Sequence, residues 1–209
     1  MPSLLVSLLA AAASVSAAGT SAGQGPDTTH GRVDGDLDLV VGTGVTVGPR
    51  APRAAFDLRL RYLETAGLFF TYEEGFGGPA EPVRLLAFGT EVRPLFLPKW
   101  LSGLETGSAW LDLAIDSIGV ELGGAALEPA SGSFGARFAL QLGGSVEVPL
   151  FGRASGLWLG FHGGARWSDV ALAREAPTAL ERSGYLQITI SWHQVFEGHL
   201  VDVGDARRR

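Results

Sequence analysis

The segment Gly184–Phe196 reads GYLQITISWHQVF and is the clearest indication of the fold, because apolar and polar residues alternate along most of it. One face carries large apolar side chains: Leu186, Ile188, Ile190, Trp192 and Phe196. The other face carries Tyr185, Gln187, Thr189, Ser191, His193 and Val195. Alternation with a period of two is typical of a β-strand. One face of such a strand contacts water or polar groups, and the other contacts apolar groups.

The rest of the chain repeats this pattern. Seven further strands are predicted at 36–47, 56–62, 67–73, 85–93, 111–122, 134–150 and 157–167. The alternation in 111–122 changes phase near Asp116–Ser117, which predicts a β-bulge there. Many of these runs are long, and a tilted membrane strand needs about 9–11 residues whereas soluble strands average about 5–6. The sequence therefore predicts an all-β chain, an eight-stranded antiparallel up-and-down transmembrane β-barrel.

Composition narrows the class of protein. The 209 residues suffice for one barrel, and the net charge of −6 argues against a nucleic-acid binder that relies on a basic face. With no cysteine, the chain has no disulfide, thiol nucleophile, thiolate metal site or lipobox.

The chain begins with a predicted export signal at residues 1–18. The apolar run Leu4–Ala13 is followed by small residues, with cleavage expected after Ala17 or Ala18. A short N-terminal core helix is the alternative. We predict a flexible leader at 19–32, the barrel at 33–196 and a C-terminal tail at 197–209.

The polar faces of the predicted strands carry charges of both signs. In a membrane barrel this face lines a narrow interior, where buried charges must pair. The predicted interior network is Asp57, Arg59, Arg61, Glu91, Arg93, Asp112, Asp116, Arg137, Glu147, His162, Arg166 and His193. Glu73 and Glu121 share the same faces. An ordinary solvated outer face is the alternative, but such a face favours lysine, and the chain has 15 Arg and one Lys.

The connections differ in length. If both ends of the chain lie in the periplasm, two short turns are periplasmic, at 64–67 and 149–155. The longer connections are then external, at 74–82, 123–133 and 168–184. The connection at 94–108 is long but periplasmic. It is either an amphipathic turn at the membrane interface or a loop that caps one barrel mouth.

No constellation in the sequence predicts catalysis, a cofactor or a metal. His162 and His193 lie on adjacent predicted strands, so they could share a metal or catalytic site. We favour the alternative, in which each forms hydrogen bonds to interior carboxylates. The run at 34–38 is similar to part of a calcium loop, but Val45 stands where the twelfth-position acid belongs.

The closing strand, with its apolar face ending at Phe196, resembles the last strand of outer-membrane barrels, although thirteen residues follow it here. From about Val33 to Phe196 the chain is similar to small barrels of the OmpA/OmpX type. The resemblance implies a Gram-negative outer-membrane location, contact with outer-membrane lipid and the barrel assembly machinery, and a structural or surface-interaction role through external loops with an unknown ligand or protein. The alternative is a soluble exported barrel that binds an apolar ligand, as lipocalins do.

Overall fold

The computed structural model describes residues 29–49, 51–76, 82–130, 132–173 and 182–198. The predicted signal peptide, most of the leader and most of the tail lie outside these residues. Eight strands make up the fold: β1 (Leu37–Val47), β2 (Arg53–Tyr62), β3 (Ala66–Gly75), β4 (Arg84–Val92), β5 (Gly119–Glu128), β6 (Arg137–Pro149), β7 (Gly156–Ser168) and β8 (Arg182–Phe196). Three short helices accompany them: α1 (Phe96–Leu101), α2 (Ala109–Asp116) and α3 (Asp169–Leu172).

The strands form a closed barrel in sequence order, and every neighbouring pair is antiparallel. β1 and β8 close the ring along their full pairing, from Leu37 opposite Phe196 to Val47 opposite Leu186. The predicted eight-stranded antiparallel up-and-down barrel is confirmed. None of the helices in the described residues is long and apolar enough to cross a membrane.

The two ends of the barrel are built differently. We call the end where β1 begins and β8 ends the terminal end, and the other the opposite end. At the terminal end, β2 and β3 are joined by the three residues 63–65, and the N–H of Thr65 donates to the carbonyl of Tyr62 across a tight turn. Leu63 and Glu64 in this turn have positive φ angles of 46° and 57°. The longest described connection, residues 93–118 with α1 and α2, also lies at this end. The long 94–108 connection thus lies at the same end as the chain termini of the barrel, where the sequence pattern predicts it.

The strand predicted at 111–122 is wrong in its first half. Ala109–Asp116 is helix α2, and β5 begins only at Gly119. Asp112 and Asp116 are four residues apart, so a helix puts them on one face as readily as a strand does. The phase change near Asp116 is the boundary between helix and strand, and the predicted β-bulge there is wrong.

β5 continues through residues that the sequence analysis assigned to an external connection, 123–133. Small side chains at Gly123 to Ala126 hide the alternation. Glycine stands at 89 and 123 because a side chain at either position would collide with a backbone carbonyl of the paired strand and with the Phe69 ring. A Cβ at either glycine would stand 2.9 or 2.8 Å from that ring, closer than side chains pack.

The terminal mouth of the barrel is closed by the chain itself. Leu113 of α2 packs in one buried cluster with Ala154, Trp158 and Val195. Residues 29–32, the described part of the predicted flexible leader, form a turn that packs here, and Thr29 and Arg32 are buried. The 94–108 connection contributes the buried Phe96 and the Lys99 that pairs with Asp112 to this mouth, so its inner side has the capping role that was one of the two expected for it.

Candidate functional site

The outer wall of the barrel is apolar. Along the described strands, the outward residues that carry charge are Glu74, Arg84, Glu128 and Arg182, and all stand where strands end or begin at the opposite end. Arg84 lies 3.4 Å from Glu74 and 3.6 Å from Glu128, so three of these charges form an exposed rim. The predicted apolar face of β8 lies on this wall, exposed at every position: Leu186, Ile188, Ile190, Trp192 and Phe196.

The interior of the barrel is charged. Three guanidinium groups stand at its centre, and six carboxylates contact them: Asp38, Asp57, Glu64, Glu91, Glu121 and Glu147. We call this set, with Arg59, Arg61 and Arg93, the central cluster. An interior of this chemistry does not fit the alternative of an apolar-ligand pocket.

Arg59 links three strands across the lumen. It lies 2.6 Å from Asp57 on its own strand, 2.9 Å from Glu91 on β4 and 2.7 Å from Glu121 on β5. The Arg59 guanidinium also stands 5.7 Å from the centre of the Phe69 ring, within the range of a cation–π contact. One buried cation therefore joins Asp57 on its own strand to two carboxylates from distant parts of the sequence.

Arg61 and Arg93 complete the central cluster. Arg61 lies 3.0 Å from Asp38, 3.1 Å from Glu91 and 2.9 Å from Glu147. Arg93 binds Glu91 at 2.8 Å and also pairs with Glu64 and Glu147. Glu147 on β6 is thus held by Arg61 from β2, on the opposite side of the barrel, and by Arg93, which directly follows β4.

The two interior histidines flank Glu147. His162 Nδ1 is 2.9 Å from Glu121, and its Nε2 is 3.8 Å from Glu147. His193 stacks on Trp158 with ring centres 4.5 Å apart, and its Nε2 lies 3.6 Å from Glu147. The structure brings both beside carboxylates, and the described residues contain no group of three or more histidines, cysteines and carboxylates arranged to hold a metal ion.

A second ion-pair group lies nearer the opposite end. Glu73 accepts hydrogen bonds from Arg53 at 2.8 Å and from Arg166 at 2.7 Å. Arg166 also donates to Gln141 and lies over the Tyr185 ring, 4.1 Å from its centre. The alternation predicts Arg166, whereas Arg53 was missed because the second strand was predicted to begin three residues later.

Asp112 and Asp116 are buried at the terminal mouth and not in the wall of the barrel. Lys99 of α1 stands 2.7 Å from Asp112 and 3.1 Å from Asp116, and Arg32 is 2.6 Å from Asp116. The backbone N–H groups of Thr106 and Gly107 donate to Asp112. Burial alone would raise the pKa of Asp112, but the hydrogen bonds from Lys99 and Thr106 outweigh it and hold the pKa below its ordinary value.

Arg137 does not belong to the interior network. It is the first residue of β6, and it precedes the first β6 residue that pairs with β7, Ala139. Its side chain is therefore at the rim, where it is exposed. The other predicted members of the network are buried.

Sequence reasoning missed three mouth and turn residues: Arg32, Glu64 and Lys99. Each lies outside a strand, so period-two alternation carries no signal for it. For Arg32 and Lys99 the one available signal was charge balance, because Asp112 and Asp116 on an expected interior face needed cations from elsewhere.

The comparisons with known proteins give little beyond this geometry. No protein-family model matches the chain, and no curated protein matches it. Among solved structures, the chain is similar to Neisserial surface protein A (NspA), with 11% sequence identity over 75% of this chain and 96% of that chain and a TM-score of 0.39.

Proposed function

We propose that this chain is an outer-membrane β-barrel protein of a Gram-negative bacterium, with a structural or surface-interaction role exercised through the connections at the opposite end. The observation that carries the proposal is the distribution of charge in the barrel. Its wall is apolar between the rims, and its interior holds paired arginines and carboxylates. A closed barrel satisfies every strand hydrogen bond internally, which is the condition for a β-protein in hydrocarbon.

The height of the apolar wall supports this location. On β8 the outward apolar residues run from Leu186 to Phe196. At about 3.3 Å per residue and a tilt of about 40°, that run spans about 25 Å along the barrel axis. This is the height of the apolar band that outer-membrane barrels present to lipid.

The interior supports a structural role and not free passage of solutes. Arg59 and Arg61 on β2 reach Glu121 on β5 and Glu147 on β6, so ion pairs cross the lumen. The terminal mouth is also closed by α2 and the turn at residues 29–32. A barrel of eight strands has room for such side chains but not for a water-filled channel as well.

Two partners follow from the proposal. Outer-membrane lipid contacts the apolar wall, and the barrel assembly machinery engages the exposed apolar face of β8 during insertion. A ligand or protein at the opposite-end connections would provide the surface interaction. We propose no catalytic activity.

A charge on the wall tests the proposal. Ile190 is 55% exposed and pairs with Thr43 in the middle of β1. We expect Ile190→Arg to cost about 2–4 kcal/mol, as cations do at the bilayer midplane, and to deplete the folded protein from the outer-membrane fraction. Folded protein is detected as the band whose migration changes on boiling a detergent extract.

The matched control is Phe76→Arg. Phe76 follows the last residue of β3 at the opposite end and is 66% exposed. Outside the wall, the same charge should leave the yield of folded barrel near that of the unmodified chain. Recovery of the unmodified chain entirely in a detergent-free soluble fraction would overturn the proposal, as would a soluble and folded Ile190→Arg variant.

A further inference from the structure

The connection between β4 and β5, residues 93–118, has two chemically distinct sides. Five of its residues are charged. Four of them point into the barrel or its mouth: Arg93, Lys99, Asp112 and Asp116, whose side chains are between 0 and 11% exposed. The fifth, Glu105, is the only charged residue of the connection on the side that faces away from the mouth.

The side that faces away from the mouth carries large apolar side chains, and the polar residues exposed among them, such as Ser102 and Thr106, are uncharged. Its large exposed residues are Leu95, Trp100, Leu101, Leu104, Trp110, Leu111 and Ile118. Leu101 and Leu104 are 76% and 68% exposed, more than any large apolar residue on the described strands. Contiguous exposed apolar surface of this kind marks an interaction site in a folded protein.

This apolar side is continuous with the barrel wall. The connection leaves the wall at Val92 and returns to it at Val120, and both residues face outward and are about half exposed. Leu95 lies close after Val92 in the sequence, and Ile118 lies just before Val120. No described charged side chain lies between the wall and the connection at either junction except Arg93, which is buried.

Contacts on the inner side hold the apolar side outward. Phe96 of α1 is buried, and the Arg32 guanidinium stands 5.0 Å from the centre of its ring. Lys99 donates to Asp116, and Leu113 of α2 packs with Trp158 inside the mouth. Because these residues fix the inner side of both helices, Leu101 and Leu104 cannot turn inward without breaking buried ion pairs.

Building on the membrane location proposed above, we propose that the connection is a second membrane-contacting element, whose apolar side binds the headgroup–acyl boundary of the leaflet at the terminal end. Lipid is the occupant that fits, because the apolar side continues a lipid-facing wall. Two of its residues, Trp100 and Trp110, are of the type enriched at membrane–water interfaces. With no free lysine or arginine on this side, binding rests on apolar burial and not on attraction to anionic lipid.

The absence of cysteine in the chain makes a direct test possible. Single-cysteine variants Leu101→Cys and Leu104→Cys carry a nitroxide label, and the refolded barrel is placed in phosphatidylcholine vesicles. Power-saturation electron paramagnetic resonance then compares collisions with oxygen, which concentrates in lipid, and with a water-soluble nickel chelate. Ile190→Cys reports the middle of the wall, and Asp34→Cys reports an exposed site on the β1 side of the same end.

We expect the oxygen-to-nickel ratio at Leu101 and Leu104 to be at least about threefold above that at Asp34 and below that at Ile190, as for a segment at the interface. A ratio equal to that at Asp34 would overturn the inference and place this side in water. Shielding from both reagents would overturn it in favour of a protein partner or a second copy. If the Ile190 label also reports water, the proposed function fails instead.

Discussion

At the scale of single residues, Arg59 shows how a charged interior stabilises a barrel. It is buried and lies within 2.9 Å of three carboxylates, so its removal leaves negative charges facing each other in a region of low dielectric. Uncompensated buried charge is costly, whereas an exposed ion pair contributes little. This molecule contains both kinds of ion pair: buried pairs in the central cluster and exposed pairs at the rim.

We expect Arg59→Met to lower the free energy of unfolding by about 3–5 kcal/mol, because Asp57, Glu91 and Glu121 lose the cation they share. Urea titration of the refolded protein in vesicles, followed by tryptophan fluorescence, measures the change. Arg84→Met is the control, since Arg84 pairs with Glu74 and Glu128 in the open. Equal effects of the two substitutions would show that the central cluster does not stabilise the fold.

At the scale of elements, the terminal-end connection is tied to the barrel by a carboxylate whose pKa is lowered in the folded state. Asp112 accepts hydrogen bonds from the backbone of Thr106 and Gly107 and pairs with Lys99. A group with a lowered pKa stabilises the fold above its ordinary value of 3.8, and this contribution is lost as the pH falls through the lower folded value.

The matched variant is Asp112→Asn, which removes the charge at every pH. We expect it to be less stable than the unmodified chain at pH 7, and the difference to shrink steadily as the pH falls below about 4. Unfolding midpoints in urea across this range measure it. A difference that stays constant down to the lowest pH would mean that ionisation of Asp112 does not hold the connection.

The elements also show which parts of the fold can be predicted from sequence. β8 and β1 alternate cleanly, and their predicted extents agree with the structure. α2 was mistaken for a strand because LDLAID satisfies both periods, and a run this short cannot separate them. β5 was cut short because its inward positions are small where Phe69 from β3 fills the space. That reason is visible only once the strands are side by side.

The residues of the candidate site also fall into those that can be predicted from sequence and those that cannot. Residues on strands, such as Arg61 and Glu147, follow from alternation alone. Lys99 and Arg32 do not, because their positions depend on how a loop folds over the mouth. Which carboxylate each arginine contacts likewise depends on the stagger of the strands, and a sequence period carries no information about stagger.

At the scale of the whole molecule, the asymmetry of the two ends predicts an orientation. The terminal end is closed and packed, while the opposite end carries the charged rim. We expect an epitope inserted after Gly135, in the β5–β6 connection, to be labelled by antibody on intact cells, because external loops of such barrels face outward. The space around this glycine is open, so an insertion there does not disturb the wall.

The control insertion follows Asp34, an exposed residue at the terminal end. Antibody should reach it only after the cells are permeabilised. Labelling of the Asp34 epitope on intact cells, with none at Gly135, would reverse the orientation.

The seam between β1 and β8 has a consequence for biogenesis. These strands are the first and the last of the barrel to be synthesised, and they meet in a continuous ladder. Without β8, both β1 and β7 keep an unpaired edge that can pair with another chain. A chain truncated before Arg182 therefore has seven strands and cannot close the ring.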